Sequence, residues 1–265
     1  MTTTPILTVS DAVVRFKRSG DSDLIAVNHV SFDLLPGEVV GLVGESGCGK
    51  STLARAICGL QQLHSGEISY RGRSVRALGL RKRPRHELGI QMVFQNPYSS
   101  LNPRRTIGDQ IEDGRRIYLG EGEPLPVAEL LEQVQLSASD ARRYPHQFSG
   151  GQRQRAAIAR AMAASPDVLI GDEPIASLDA SMQIHVAELM RDLSRQTGTA
   201  LLFITHDLSI VRQICDRIIV MNAGEIVESG PAREIWDHPG EQYTRRLLAS
   251  IPIADGEGRI PGLSS

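Results

Sequence analysis

Residues 44–52 read GESGCGKST, a glycine-rich run closed by a lysine and two hydroxyl residues at the spacing G-x4-G-K-[ST]. In such a loop, Gly44, Glu45, Ser46, Gly47, Cys48 and Gly49 turn successive backbone N–H groups toward one point, and the helix that follows adds the partial positive charge of its N-terminus. That chemistry suits a chain of phosphates. Lys50 would reach the β and γ oxygens as a compact charge on a flexible stem, Ser51 would ligate Mg²⁺, and Thr52 would touch the α-phosphate. Of 29 basic residues only Lys17, Lys50 and Lys82 are lysines, so the lysine inside this loop asks for a chemical reason.

Two further stretches supply groups that act on phosphates. In DVLIGDEP an apolar run ends in Asp172 and Glu173, where one carboxylate can hold the cation and the other can polarise an attacking water. In LLFITHDLSIV a second apolar run ends in Thr205 and His206, and an imidazole there can hydrogen-bond a terminal phosphate. Residues 148–152, FSGGQ, form a second helix opening. Ser149 and Gln152 have capping-box spacing, yet Gly150 and Gly151 are poor first-turn residues for a helix that needs only stability. Paired glycines behind a serine expose N–H groups to something that approaches the backbone closely, which makes a second anion site. The first loop already surrounds the inner phosphates, so the face left for the second is that of the γ-phosphate.

The elements that must position these groups follow from periodicity and turn residues. Residues 6–16 and 24–34 read as an antiparallel strand pair joined by the polar turn 18–23. Strand 38–43, the loop, and a helix over 50–60 with Leu53, Ala54, Ile57 and Leu60 on one face give strand–loop–helix, the context the phosphate loop requires. Further strands are expected at 67–70, 90–94, 168–170, 200–204, 218–221 and 225–228, and helices at 181–195 and 207–215. Between 96 and 166 the pattern turns helical, punctuated by Pro97, Pro103, Pro124, Pro126 and Pro145. The expected fold is α/β: a P-loop NTPase core with an N-terminal antiparallel β subdomain and an inserted helical subdomain. The core spans 5–95 and 166–235, the helical subdomain 96–165, the whole domain 5–250, and residues 251–265 form a Gly-, Pro- and Ser-containing tail.

A formal charge of −2 gives no global basic field for nucleic acid. Cys48, Cys58 and Cys215 stand apart from any C-x-x-C spacing, which fits a reducing compartment. No apolar run approaches the eighteen residues of a membrane span, and the N-terminus has no signal-peptide pattern, so any membrane role is expected to come through partners.

Taken in order, GESGCGKST, Gln95 after an apolar strand, FSGGQ, VLIGDEP, SLD at 177–179 and His206 resemble the motifs of the ATP-binding subunits of ABC transporters, over residues 6 to about 250. The resemblance implies an ATPase whose two subunits pack head to tail, the Ser149-Gly150-Gly151-Gln152 signature of one closing in trans on the ATP–Mg²⁺ of the other. It further implies Gln95 as the residue joining the metal and attacking water to the helical lobe, Asp179 as a dimer contact, and Phe16 as the aromatic that stacks on adenine. The catalytic set is then Glu173, His206, Gln95 and Lys50, and the metal set Ser51, Gln95 and Asp172. Phe148 stands where leucine is usual, and Ala176-Ser177 where Ser-Ala is common.

MVFQNPYSSLNPRRTIGDQI and HPGEQYTRRLLASIPIADG resemble the oligopeptide, dipeptide and nickel importer branch. That branch implies a second ATPase subunit, in a hetero- or homodimer, two transmembrane permeases, an extracytoplasmic substrate-binding protein and a place on the cytoplasmic face of the inner membrane. Many relatives continue into a cysteine-bearing tail that holds an iron–sulfur cluster. This chain ends in IPGLSS, so none is expected. The rival class is a soluble ABC ATPase acting on nucleic acid or ribosomes, suggested by the basic stretch RGRSVRALGLRKRPRHE at 71–87. That stretch lacks aromatic residues on which bases could stack. An export ATPase differs chiefly in its membrane partner.

Overall fold

The computed structural model describes residues 4–17, 23–79, 83–96 and 100–250. Parts of the expected turn 18–23, of the basic stretch 71–87 and of the branch-resembling stretch 92–111 lie outside the described residues, as does the whole tail 251–265.

Two sheets form the frame. The first, antiparallel, is ordered β2-β1-β4-β5, with β1 at Leu7–Phe16, β2 at Leu24–Leu34, β4 at Ser65–Tyr70 and the two-residue β5 at Arg73–Ser74. The second has the order β10-β9-β3-β8-β7-β6, with β3 at Val39–Val43, β6 at Ile90–Val93, β7 at Val168–Asp172, β8 at Ala200–Ile204, β9 at Arg217–Asn222 and β10 at Glu225–Pro231. Its strands from β9 to β6 run parallel, and β10 pairs antiparallel to β9. β3, β7 and β8 are buried at every position, as strands covered on both faces must be.

Alternation along those strands divides the core in two. Val39, Val43, Leu169, Leu201, Phe203 and Val220 face a cluster built with the helices, among them α4 at Gly150–Met162, α5 at Ala180–Thr197 and α6 at Leu208–Ile214. Val40, Leu42, Val168, Ile170, Leu202 and Ile204 face the other cluster, shared with α1 at Lys50–Ile57 and the antiparallel sheet. Between β6 and β7 in the chain come α2 at Ile107–Arg116, α3 at Val127–Gln133 and α4, the helical stretch that the proline-punctuated pattern announces. Cys48, Cys58 and Cys215 are buried and unpaired, and burial pushes the Cys58 thiol up to about 12.

One local feature departs from expectation and two are not anticipated by the sequence. α1 stops at Ile57 because Gly59, at φ +66, turns the chain, which leaves Leu60 46% exposed instead of on the helix's apolar face. Gly171 inside β7 has a packing reason: a Cβ there would stand 3.0 Å from Pro174 and 3.1 Å from Met190. Two short helices, α7 at Ala232–Asp237 and α8 at Gln242–Ala249, fill a stretch that shows no clear period in sequence.

Candidate nucleotide site

The parallel register brings four strand ends to one rim. Leu42 and Asp172 both pair with Ile204, and Val93 pairs with Gly171, so the residues following β3, β6, β7 and β8 emerge side by side, at the usual ligand crevice of an open α/β sheet. A cleft of about 290 Å³ opens there, lined by Leu24, Ala26, Ser46, Gly47, Gly49, Lys50, Ser51, Thr52, Gln95 and Glu173. A larger groove of about 460 Å³ beside α1, β4 and β5 holds none of the residues singled out for chemistry.

The loop between β3 and α1 is held by its own backbone. Gly49, the N-cap of α1, has φ +107, and a Cβ on it would stand 2.0 Å from the Ala26 carbonyl oxygen, so glycine is required twice over. Lys50 is 4% exposed, and its Nζ donates to the carbonyl oxygens of Gly44 and Glu45, each at 2.8 Å. A buried ammonium resting on two loop carbonyls is poised to exchange them for phosphate oxygens.

The candidate cation ligands begin one residue on. Ser51 Oγ donates to Asp172 Oδ1 at 2.7 Å, which joins two hard oxygen ligands at the end of β7. Burial dominates at Asp172 and pushes its pKa above the ordinary carboxylate range, against the opposing Ser51 hydrogen bond. A carboxylate penalised for its charge beside a hydroxyl fits a divalent cation, which would relieve that penalty. Mg²⁺ would be held by Ser51 and Asp172, with Gln95 on the same rim, and would neutralise charge on the phosphates.

Glu173 is the centre of the second group. Gln95 Nε2 donates to its Oε2 at 3.4 Å, and His206 Nδ1 lies 3.6 Å from the same oxygen. Its backbone has φ +47, in the left-handed region, a conformation that costs on the order of 1–3 kcal/mol and is fixed by the Glu173 N–H donating to Ile204 O at 3.0 Å. This turn sends the carboxylate of Glu173 to the cleft while Asp172 points to Ser51. Glu173 is 17% exposed on its side chain and His206 62%, so the histidine stands at the open edge.

Phe16 does not line the cleft. It ends β1 opposite Leu24, which does, and it is 38% exposed, so it belongs to the surface beside the cleft and not to the core. Asp179 is exposed and caps α5, its carboxylate accepting from Ser181 Oγ at 2.8 Å and from Met182 N at 3.0 Å; these bonds hold its pKa below the usual carboxylate range.

Ser149, Gly150, Gly151 and Gln152 open α4 with a reciprocal capping box, Gln152 N–H to Ser149 Oγ at 3.3 Å and Ser149 N–H to Gln152 Oε1 at 2.9 Å. None of the four lines the cleft. The loop before them is braced by Arg143, a residue without a signal in sequence. Its guanidinium bonds Asp140 Oδ1 at 2.8 Å and the Gln147 carbonyl, and lies 4.5 Å from the centroid of Phe148. Phe148 itself is buried in the helix-side core.

The profile of the ABC transporter family matches residues 27–176. The chain belongs to that family. It is 46% identical over 266 residues to proteins called glutathione import ATP-binding protein GsiA, from Salmonella typhimurium (strain LT2) and from Escherichia coli (strain K12). The match covers 97% of this chain and 43% of those relatives, so the chain spans less than half of their length. Among solved structures it is similar to the dimeric ABC transporter cassette MJ0796 in a post-hydrolysis state bound to ADP and Pi, with TM-score 0.73, 26% identity, and coverage of 86% of this chain and 99% of that one. CbiO1 of Clostridium perfringens, part of the transporter complex cbiONQ, gives TM-score 0.72 at 26% identity, covering 88% and 91%. The fold is therefore that of an α/β P-loop ATP-binding cassette. No helix among the described residues is long and apolar enough to cross a membrane.

Proposed function

We propose that residues 5–250 are the ATP-hydrolysing cassette of an ABC importer, with a core over 5–95 and 166–235 and a helical subdomain over 96–165. The observation that carries this reading is a division of labour. The chain's own cleft gathers Lys50, Ser51, Gln95 and Glu173 for phosphates, cation and water, while the second glycine-rich helix opening, exposed at Ser149 and Gly150, lies outside that cleft.

Lys50 would leave the Gly44 and Glu45 carbonyls for the β and γ oxygens, and the loop N–H groups would hold the inner phosphates. Glu173 Oε2 would accept a proton from water as it attacks the γ-phosphorus in line with the leaving ADP oxygen, with Gln95 and His206 orienting the carboxylate and the water. Phe16 would lie against adenine. The outer face of the γ-phosphate is left to Ser149, Gly150, Gly151 and Gln152 of a second ATPase subunit, identical or different, with Asp179 at the contact.

Charge-assisted hydrogen bonds contribute about 1.5–3 kcal/mol each. Two such bonds at each of two shared phosphates exceed the roughly 5.5 kcal/mol that moves a two-state equilibrium from 1:99 to 99:1, so ATP closes the pair and hydrolysis opens it. Two transmembrane permeases would convert that movement into transport, fed by an extracytoplasmic binding protein, with the cassette on the cytoplasmic face of the membrane. The relatives are named for import of glutathione, a tripeptide. Small peptides are accordingly the first cargo class and nickel or other metal chelates the second.

The test is Glu173→Gln. Phosphate release falls by about 10²-fold or more, the usual contribution of a positioned general base, while ATP titrations keep their wild-type midpoint. Turnover near the wild-type rate removes Glu173 from this role.

A further inference from the structure

The stretch HPGEQYTRRLL has no part in the site as described so far, yet it folds into α8, and α8 touches the phosphate loop. The Glu45 N–H donates to the Tyr243 hydroxyl oxygen at 3.1 Å, across 198 residues of chain. The Glu45 carbonyl, on the other side of the following peptide, accepts from Lys50 Nζ at 2.8 Å and from the Cys48 N–H at 3.3 Å. Glu45 is thus tied at both its backbone polar atoms, one tie reaching out of the loop and the others staying within it.

Tyr243 is itself firmly placed. Glu228 on β10 accepts from the Gly240 N–H at 2.7 Å and from the Glu241 N–H at 3.2 Å, which fixes the entry to α8. Tyr243, Leu247 and Leu248 pack on the helix-side core, and Thr244 is fully buried.

We propose that Tyr243 is a positioning residue of the phosphate loop: its hydroxyl holds Glu45 in place when Lys50 leaves the Glu45 carbonyl for the phosphates. The inference rests on the nucleotide reading above. An ammonium has three N–H donors, and two of those of Lys50 lie on the Gly44 and Glu45 carbonyls, so reaching both the β and γ oxygens requires it to release at least one loop carbonyl. Once it moves, the tyrosine is the tie that reaches the loop's entry from outside the loop. It also occupies the Glu45 N–H, so the cradle that faces the phosphates begins at the next peptides, from Ser46 onward. A loop fixed at its entry needs no reordering on binding, and reordering is what weakens affinity.

The experiment compares Tyr243→Phe with wild type in the 265-residue chain. Phenylalanine keeps the ring that packs on the core and removes only the hydroxyl. The expected result is an ATP and an ADP dissociation constant raised about 3- to 10-fold, the range for one neutral hydrogen bond, with kcat at saturating ATP unchanged and the melting temperature without nucleotide within about a degree of wild type. Tyr243→Leu, which loses ring and hydroxyl together, should lower the melting temperature as well. Wild-type affinity in Tyr243→Phe overturns the inference and leaves the nucleotide reading standing, and so does a loss of affinity that only follows a loss of thermal stability. Failure of the wild-type chain to bind ATP–Mg²⁺ or ADP overturns both.

Discussion

A Cβ placed on Gly49 would stand 2.0 Å from the Ala26 carbonyl oxygen, whereas one placed on Gly150 would meet nothing nearer than Leu178 Cδ2 at 3.8 Å. Both glycines belong to glycine-rich openings of a helix, and both openings present N–H groups that favour an anion. At the first, the chain explains its own glycine: β2 crowds it, φ is +107, and the lysine beside it is already seated on loop carbonyls. At the second, neither intrachain crowding nor backbone conformation accounts for glycine at Gly150. The proposed head-to-tail pairing supplies a reason: there the missing side chain leaves room for the nucleotide of a second chain. On that proposal the contrast separates a site that binds from a site that completes another.

The same substitution at the two positions therefore has opposite effects. Gly49→Ala forces a left-handed residue against a backbone oxygen, at about 1–2 kcal/mol before the clash is counted. The loop must shift, and losing even one charge-assisted bond to phosphate lowers ATP affinity about tenfold or more in a binding titration. Gly150→Ala fits the fold and strengthens the helix by at most about 1 kcal/mol. It leaves ATP binding unchanged and slows phosphate release several-fold, because the added methyl stands between two chains. Equal effects of the two substitutions on ATP affinity would erase the distinction.

A smaller effect sharpens the first site alone. Burial raises the Asp172 pKa, so on acidification this carboxyl takes up a proton before an exposed aspartate does. The protonated form cannot hold a cation, and Mg²⁺ must displace the proton. Mg²⁺-dependent ATP affinity should thus decline as pH falls, starting above the usual aspartate range. In the ligand-free chain the same raised pKa favours the folded state as pH falls through it, and opposes folding above it. The melting temperature of wild type relative to that of Asp172→Asn, which isolates this one group, should rise as pH falls while the wild-type Mg²⁺-dependent ATP affinity declines, and a difference that falls with pH would refute the assignment.

How legible this was in the sequence depended on distance along the chain. The phosphate loop, the Asp172-Glu173 strand end and the Ser149–Gln152 capping box are each written in a few consecutive residues, and their element types follow from that local pattern. The left-handed turn of Glu173, which splits the two carboxylates, carries no mark in the letters Asp-Glu-Pro. Nor does the brace on the signature loop: Arg143 reads as one more arginine among 26 until its guanidinium is found over Phe148. Tyr243 is hidden further still, in an eight-residue helix too short to show a period and 198 residues from the peptide it holds. Asp179 shows the converse, since the residue set aside for a dimer contact already caps α5.

The most direct trial of a nucleotide shared between two chains is phosphate release per chain measured against chain concentration, with molecular mass followed in the same samples and the second ATPase subunit titrated in where it is a different polypeptide. The expected curve starts near zero for single chains and climbs with the population of pairs. A rate per chain that stays constant down to dilutions where only single chains are present would contradict the shared site.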